Sequence, residues 1–117
     1  MRASIDMSEV ASLAAALGRA GPRARLRGSA ALRKVAKDIE RDAKILAPVD
    51  TGDLENSIST TISDAGMTAE IGPTVDYAIY QELGTSTQPP QAFLGPASDR
   101  HIPLLEQAIA RIPEEFF

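Results

Sequence analysis

The stretch Lys44-Ile45-Leu46-Ala47-Pro48-Val49-Asp50-Thr51-Gly52-Asp53-Leu54-Glu55-Asn56-Ser57-Ile58-Ser59-Thr60-Thr61-Ile62-Ser63 is where the chain changes its grammar. Upstream, Leu32, Val35, Ile39, Ala43 and Leu46 recur at helical spacing, one apolar face of an amphipathic helix. Glu40 stands one turn before Lys44 and supports the exposed face. Pro22 suits the first helical position, and Ala47-Pro48 ends the helix, because a residue before proline is pushed out of the α region. A helix over Pro22 to Leu46 would span roughly 37 Å at ~1.5 Å per residue. That is long for so small a chain, so one end is expected to project or to pack on another subunit.

Downstream the period shortens. Val49 to Gly52 reads as a turn, with Asp50 or Thr51 capping a short helical turn through Ser57. Ile58, Thr60 and Ile62 alternate with serine and threonine, a half-buried strand. Asp64-Ala65-Gly66 is a hairpin loop, and Met67, Ala69 and Ile71 return as a second strand closed by Gly72-Pro73. Tyr77, Tyr80 and Leu83 form one face of a brief helix stopped by Gly84. Residues 85–96 read as loop, and a last helix is expected from Ser98 to Ile112, capped by Ser98 or Asp99. Its apolar face would be Leu105, Ala108, Ile109 and Ile112. Pro103 is tolerated only in a first turn, which implies a late start or a kink. At the other end, Ala3 to Met7 suits an edge strand, Val10, Leu13, Ala14 and Leu17 a short helix, and Gly18 to Gly21 a connector. The expected fold is α+β: the long helix and the C-terminal helix pack on a small antiparallel sheet, made of the hairpin and a strand added by the N-terminal segment or by a neighbour.

One domain accounts for all 117 residues. Its parts are the N-terminal strand, short helix and connector (1–21), the long helix (22–47), the hairpin and motif loops (48–97), and the C-terminal helix and tail (98–117). The net charge of −4 hides a split: residues 1–46 sum to +5 and residues 47–117 to −9. With no cysteine there is no disulfide framework, thiolate zinc site or cysteine nucleophile. His101 is the one histidine, which argues against His-rich metal sites and a Ser-His-Asp triad, and it reads as a surface residue near the helix start. Neither a metal nor an organic cofactor is expected. Asp6, Ser8 and Glu9 break up any apolar core of a secretory signal, and no apolar run is long enough to span a membrane.

Asp50-Thr51-Gly52 has the wording of an aspartic protease site. That chemistry needs two carboxylates sharing a proton in an all-β dimer, whereas here the triplet follows a long helix and a proline. A turn whose glycine supplies φ > 0 explains it. Asp50, Asp53, Glu55 and Asp64 lack the ligand alternation of a calcium loop and read as a solvated acidic surface. Arg19, Arg23, Arg25 and Arg27 could meet phosphates, and a small nucleic-acid-binding regulatory protein is the alternative of another class. No aromatic is interleaved among them, so a solvated helix start or a salt-bridging face toward a partner fits better. Tyr77, Tyr80 and Phe93 are assigned to the core because the chain has so few aromatic residues. Phe116 and Phe117, at the chain end, are expected to dock on this domain or on a neighbour.

Three blocks follow in order: Ala47-Pro48-Val49-Asp50-Thr51-Gly52-Asp53-Leu54-Glu55-Asn56-Ser57-Ile58, then Tyr77-Ala78-Ile79-Tyr80-Gln81-Glu82-Leu83-Gly84-Thr85, then Pro89-Pro90-Gln91-Ala92-Phe93-Leu94-Gly95-Pro96-Ala97. This order resembles the tail-component family of long-tailed phages named after the tenth gene product of an HK-type phage. The matched residues Pro48, Thr51, Gly52, Leu54, Ser57, Tyr77, Tyr80, Glu82, Gly84, Thr85, Phe93, Leu94 and Pro96 are taken as fold-setting, with Tyr77, Tyr80, Phe93 and Leu94 pinning the hairpin to the long helix. Departures are Asp53 and Glu55 where basic residues are common, Leu83 where an aromatic often stands, Ala92 for a proline and Gly95 for a basic residue. The resemblance implies a non-enzymatic virion protein of the head–tail neck, assembled in the host cytoplasm. It implies a homo-oligomeric ring, most often hexameric, that meets the connector, terminator or tail tube. DNA would pass its lumen without sequence-specific binding. A tail terminator capping the tube is the alternative within the class. Arg23, Arg25, Arg27, Phe116 and Phe117 are the candidate oligomer contacts, and contacts of the basic helix with acidic neighbours would weaken as salt rises.

Overall fold

The computed structural model describes residues 3–6, 22–48, 52–63 and 66–110, with the side chains of 6, 22–25 and 109–110 outside that description. Its elements are β1 (Ala3–Asp6), α1 (Pro22–Leu46), α2 (Asp53–Ser57), β2 (Ser59–Ser63), β3 (Thr68–Gly72), α3 (Ala78–Leu83) and α4 (Leu94–Ala110). The sheet is antiparallel in the order β1-β3-β2. Thr60 faces Ile71 and Ile62 faces Ala69 across the hairpin, and Ile5 pairs with Ala69 on the other side. The N-terminal segment thus supplies the added strand, and the α+β architecture is as the sequence reads. The short helix expected over Val10 to Leu17 lies outside the described residues.

Packing follows the periodicities. Leu32, Val35, Ala36, Ile39 and Ala43 of α1 are buried, with Ala69 and Ile71 of β3 and Ala97 and Leu105 of α4 in the same core. β2 shows the alternation of a half-buried strand, Thr60 and Ile62 inward and Ser59, Thr61 and Ser63 exposed. The hairpin turn seats on α1: a Cβ at Gly66 would fall 2.1 Å from the Ser29 hydroxyl. The molecule measures 55 × 20 × 19 Å with a radius of gyration of 16.0 Å, against about 13 Å for a compact chain of this length.

Four expectations are corrected. α4 begins at Leu94, not Ser98, and ends its description at Ala110. Its start is set from a distance by Glu82, so Pro96 lies in its first turn and Pro103 in its interior. Pro103 has no N–H, so the carbonyl of Asp99 lacks its usual intrahelical donor. The N-cap position of α2 is Gly52, at φ 83° with no side-chain cap, rather than Asp50 or Thr51, which lie outside the described residues. Leu46 is 47% exposed rather than part of the core, because the buried stripe runs from Ala43 to Ala47, one turn on, and leaves Leu46 to the side. His101 is not on the surface: it is buried in α4 against α1.

Candidate functional site

The second and third sequence blocks meet at the start of α4. The first four N–H groups of a helix have no intrahelical acceptor. Here Phe93 and Leu94 donate to Glu82 Oε2 at 2.8 and 3.1 Å, and Gly95 donates to Glu82 Oε1 at 2.8 Å. The fourth residue is Pro96, which has no N–H. One carboxylate therefore satisfies the whole terminus, and its charge sits at the positive end of the α4 dipole. Gly95 lets the carboxylate come close: a Cβ there would lie 2.9 Å from Glu82 Oε1, and the end of that side chain would have to shift.

The loop between the blocks is tied to the same short helix. Gln91 donates its N–H to the Gln81 carbonyl at 2.7 Å, and Thr85 donates its N–H to the Gln88 carbonyl at 2.9 Å. Thr85 Oγ1 accepts from the N–H groups of Thr87 and Gln88. Gly84 turns the chain at φ 77°, where a Cβ would come within 2.7 Å of the Pro90 nitrogen, so no other residue fits both the angle and the space. In the first block, Leu54 is buried, Ser57 Oγ donates to the Leu54 carbonyl at 2.8 Å, and Pro48 is half-buried. Thr51, Phe116 and Phe117 lie outside the described residues. So do Asp50 and the side chains of Arg23 and Arg25.

Phe93 and Leu94 are in the core, Phe93 without exposed surface. Tyr77 and Tyr80 are not, and this corrects their assignment: they are 43% and 61% exposed. α3 is too short to bury two faces, and Ala78 is the residue it turns inward. Tyr77, Tyr80 and Leu83 do share one helical face, but that face points to solvent, with Ile79 beside it. Tyr77 and Tyr80 line an open groove of about 650 Å³ together with Pro48, Asp53, Leu54 and Gln88.

A second polar cluster joins α1 to α4. Asp42 Oδ2 lies 2.5 Å from His101 Nε2, both residues buried. An ionised carboxylate only accepts, so Nε2 carries the hydrogen. That bond holds the Asp42 carboxyl below the usual carboxylate range; burial opposes the shift and Arg41 adds to it. Arg100 approaches the same oxygen at 3.5 Å. His101 Nδ1 has no partner among the described residues. Sequence reasoning missed this pair because nothing local links residues 59 positions apart.

Among the described residues, no group of three His, Asp or Glu side chains is placed to hold a metal ion, and no helix is long and apolar enough to cross a membrane. The family described as bacteriophage HK97-gp10, putative tail-component, matches residues 11–84. The match takes in the first block and the second as far as Gly84. No curated protein and no solved structure matches the chain.

Proposed function

We propose a function from one premise: the chain belongs to the HK97-gp10-like family of bacteriophage tail components. It is a structural virion protein of the head–tail interface, forming a homo-oligomeric ring, hexameric in the simplest case, that completes the tail and joins it to the head. It works by shape and charge rather than by covalent chemistry. The observation that carries this reading is the solvent-facing side of α3. Tyr77, Tyr80 and Leu83 stand exposed on a segment whose other bonds hold it rigid. Exposed aromatic side chains on a fixed element are the usual anchors of protein interfaces.

The charge distribution supports the same reading. Residues 47–117 sum to −9, and an acidic lumen wall would let DNA slide rather than grip its phosphates. Light scattering of the purified chain tests the ring, and electron microscopy of a particle neck tests its place. A strictly monomeric protein, missing from particles, would end the proposal. Oligomers that dissociate as salt rises would support the electrostatic part of it.

A further inference from the structure

We infer that two copies meet head to tail, the basic N-terminal end of α1 in one copy seating on the aromatic groove beside α3 in the next; this rests on the ring reading above. The two surfaces differ in chemistry. Residues 22–34 contain Arg23, Arg25, Arg27, Arg33 and Lys34 and no acid. Among them Leu26 is 72% exposed, the most exposed position that a large apolar side chain occupies in the described structure, shared with Ile45. Between Lys44 and Arg100 the chain has eight acids and no cation. Of those acids, Asp53 lines the groove, and the exposed Asp76 directly precedes Tyr77. An exposed leucine in an arginine-rich stretch of sequence matches a groove walled by tyrosines with carboxylates nearby: the apolar side chain would enter, and guanidinium groups would lie on aromatic faces or meet carboxylates.

Geometry settles which copy supplies which surface. The groove begins at Pro48, just past the C-terminal end of α1. Leu26 lies twenty residues before Leu46 on that one helix, which separates them by roughly 30 Å at ~1.5 Å per residue. The helix is rigid over that span, so Leu26 cannot reach its own groove. Where such a contact between opposite ends of identical subunits is heterologous, it propagates around a closed ring. An isologous contact, groove on groove, would set acid against acid.

A mixing experiment separates these arrangements. In the full-length chain, Leu26→Asp breaks the basic end of α1 and leaves the groove, while Tyr80→Asp breaks the groove and leaves the end. Light scattering at a concentration where the unmodified chain assembles should find each variant alone monomeric. Their equimolar mixture should give a one-to-one dimer and nothing larger, because only one intact end and one intact groove remain to meet. A mixture that stays monomeric, or a variant that assembles alone, overturns the inference while leaving the ring in place. An unmodified chain that is itself monomeric overturns the ring reading and this inference with it. Both side chains are exposed, so helical circular dichroism should be retained; if it is lost, Leu26→Ser and Tyr80→Ser take the same test.

Discussion

The two sides of α3 carry opposite duties within six residues. Inward, Ala78 is buried, the Gln81 carbonyl receives Gln91, and Glu82 holds the start of α4 through three N–H groups. Outward, Tyr80 and Leu83 are 61% and 68% exposed. The inner side fixes this chain's own fold, while the outer side presents large apolar surface that a lone monomer would gain by covering. On the proposed reading the same motif would serve folding on one side and assembly on the other, and substitutions should separate the two.

The largest effect belongs to the inner side. Phe93 has no exposed surface and follows directly from the Glu82 clamp. Phe93→Ala should destabilise the chain by about 3–5 kcal/mol, since a cavity replaces an aromatic ring in a packed core. Denaturant midpoints measure it. A loss below about 1 kcal/mol would mean the core does not depend on this ring, and the comparison would fail on its inner half.

Glu82→Gln comes next. The amide oxygen can take the place of Oε2 and keep Phe93 and Leu94, but the NH₂ then faces the Gly95 N–H. One donor loses its acceptor and the charge at the helix terminus is gone. The expected cost is about 1–3 kcal/mol, the range for an unsatisfied group. Amide exchange should quicken at Phe93, Leu94 and Gly95 more than elsewhere in α4. An even change along the helix would show that Glu82 does not set its start.

How much of this was legible in sequence depends on the range of each cause. The apolar spacing of Leu32, Val35 and Ile39, the alternation around Ile62 and the turn before Met67 are local, and they placed α1, β2 and β3 correctly. The start of α4 was misplaced because its cap comes from a carboxylate eleven positions upstream of Phe93. Pro96, which has no N–H to satisfy, was the residue that could have announced a first helical turn. Tyr77 and Tyr80 were assigned inward from their type, yet a helix as short as Ala78–Leu83 can bury only one side. Residue type alone does not say which side.

Asp42 offers a test outside α3 that sharpens what a carboxylate does in this fold. Its folded-state pKa is lowered, chiefly by the His101 hydrogen bond. The unfolded chain therefore takes up a proton first as the pH falls. The stability this bond contributes is complete above the ordinary carboxylate range and is lost as pH drops through the lowered value. Denaturation midpoints followed from about pH 5 to about pH 2 should show that decline in the unmodified chain, because ~3.9 is the unperturbed value. Asp42→Asn should flatten it. An unchanged slope would place the acid sensitivity on other carboxylates.

Leu83→Ser should move stability least, and for that reason it tests the outer side most cleanly. Leu83 is the last residue of α3, 68% exposed, and its side chain contributes nothing to the buried core. Its removal should change the denaturation midpoint by no more than about 0.5 kcal/mol, the range for surface positions. Assembly should respond quite differently, because Leu83 lies on the face of Tyr77 and Tyr80, and truncating an interface side chain acts on association rather than on folding. Light scattering on the folded variant should show the oligomer population falling while the melting curve stays in place. If instead the curve shifts and the oligomer does not, Leu83 belongs with Phe93 as a folding residue. The division between the two sides of α3 would then be drawn in the wrong place.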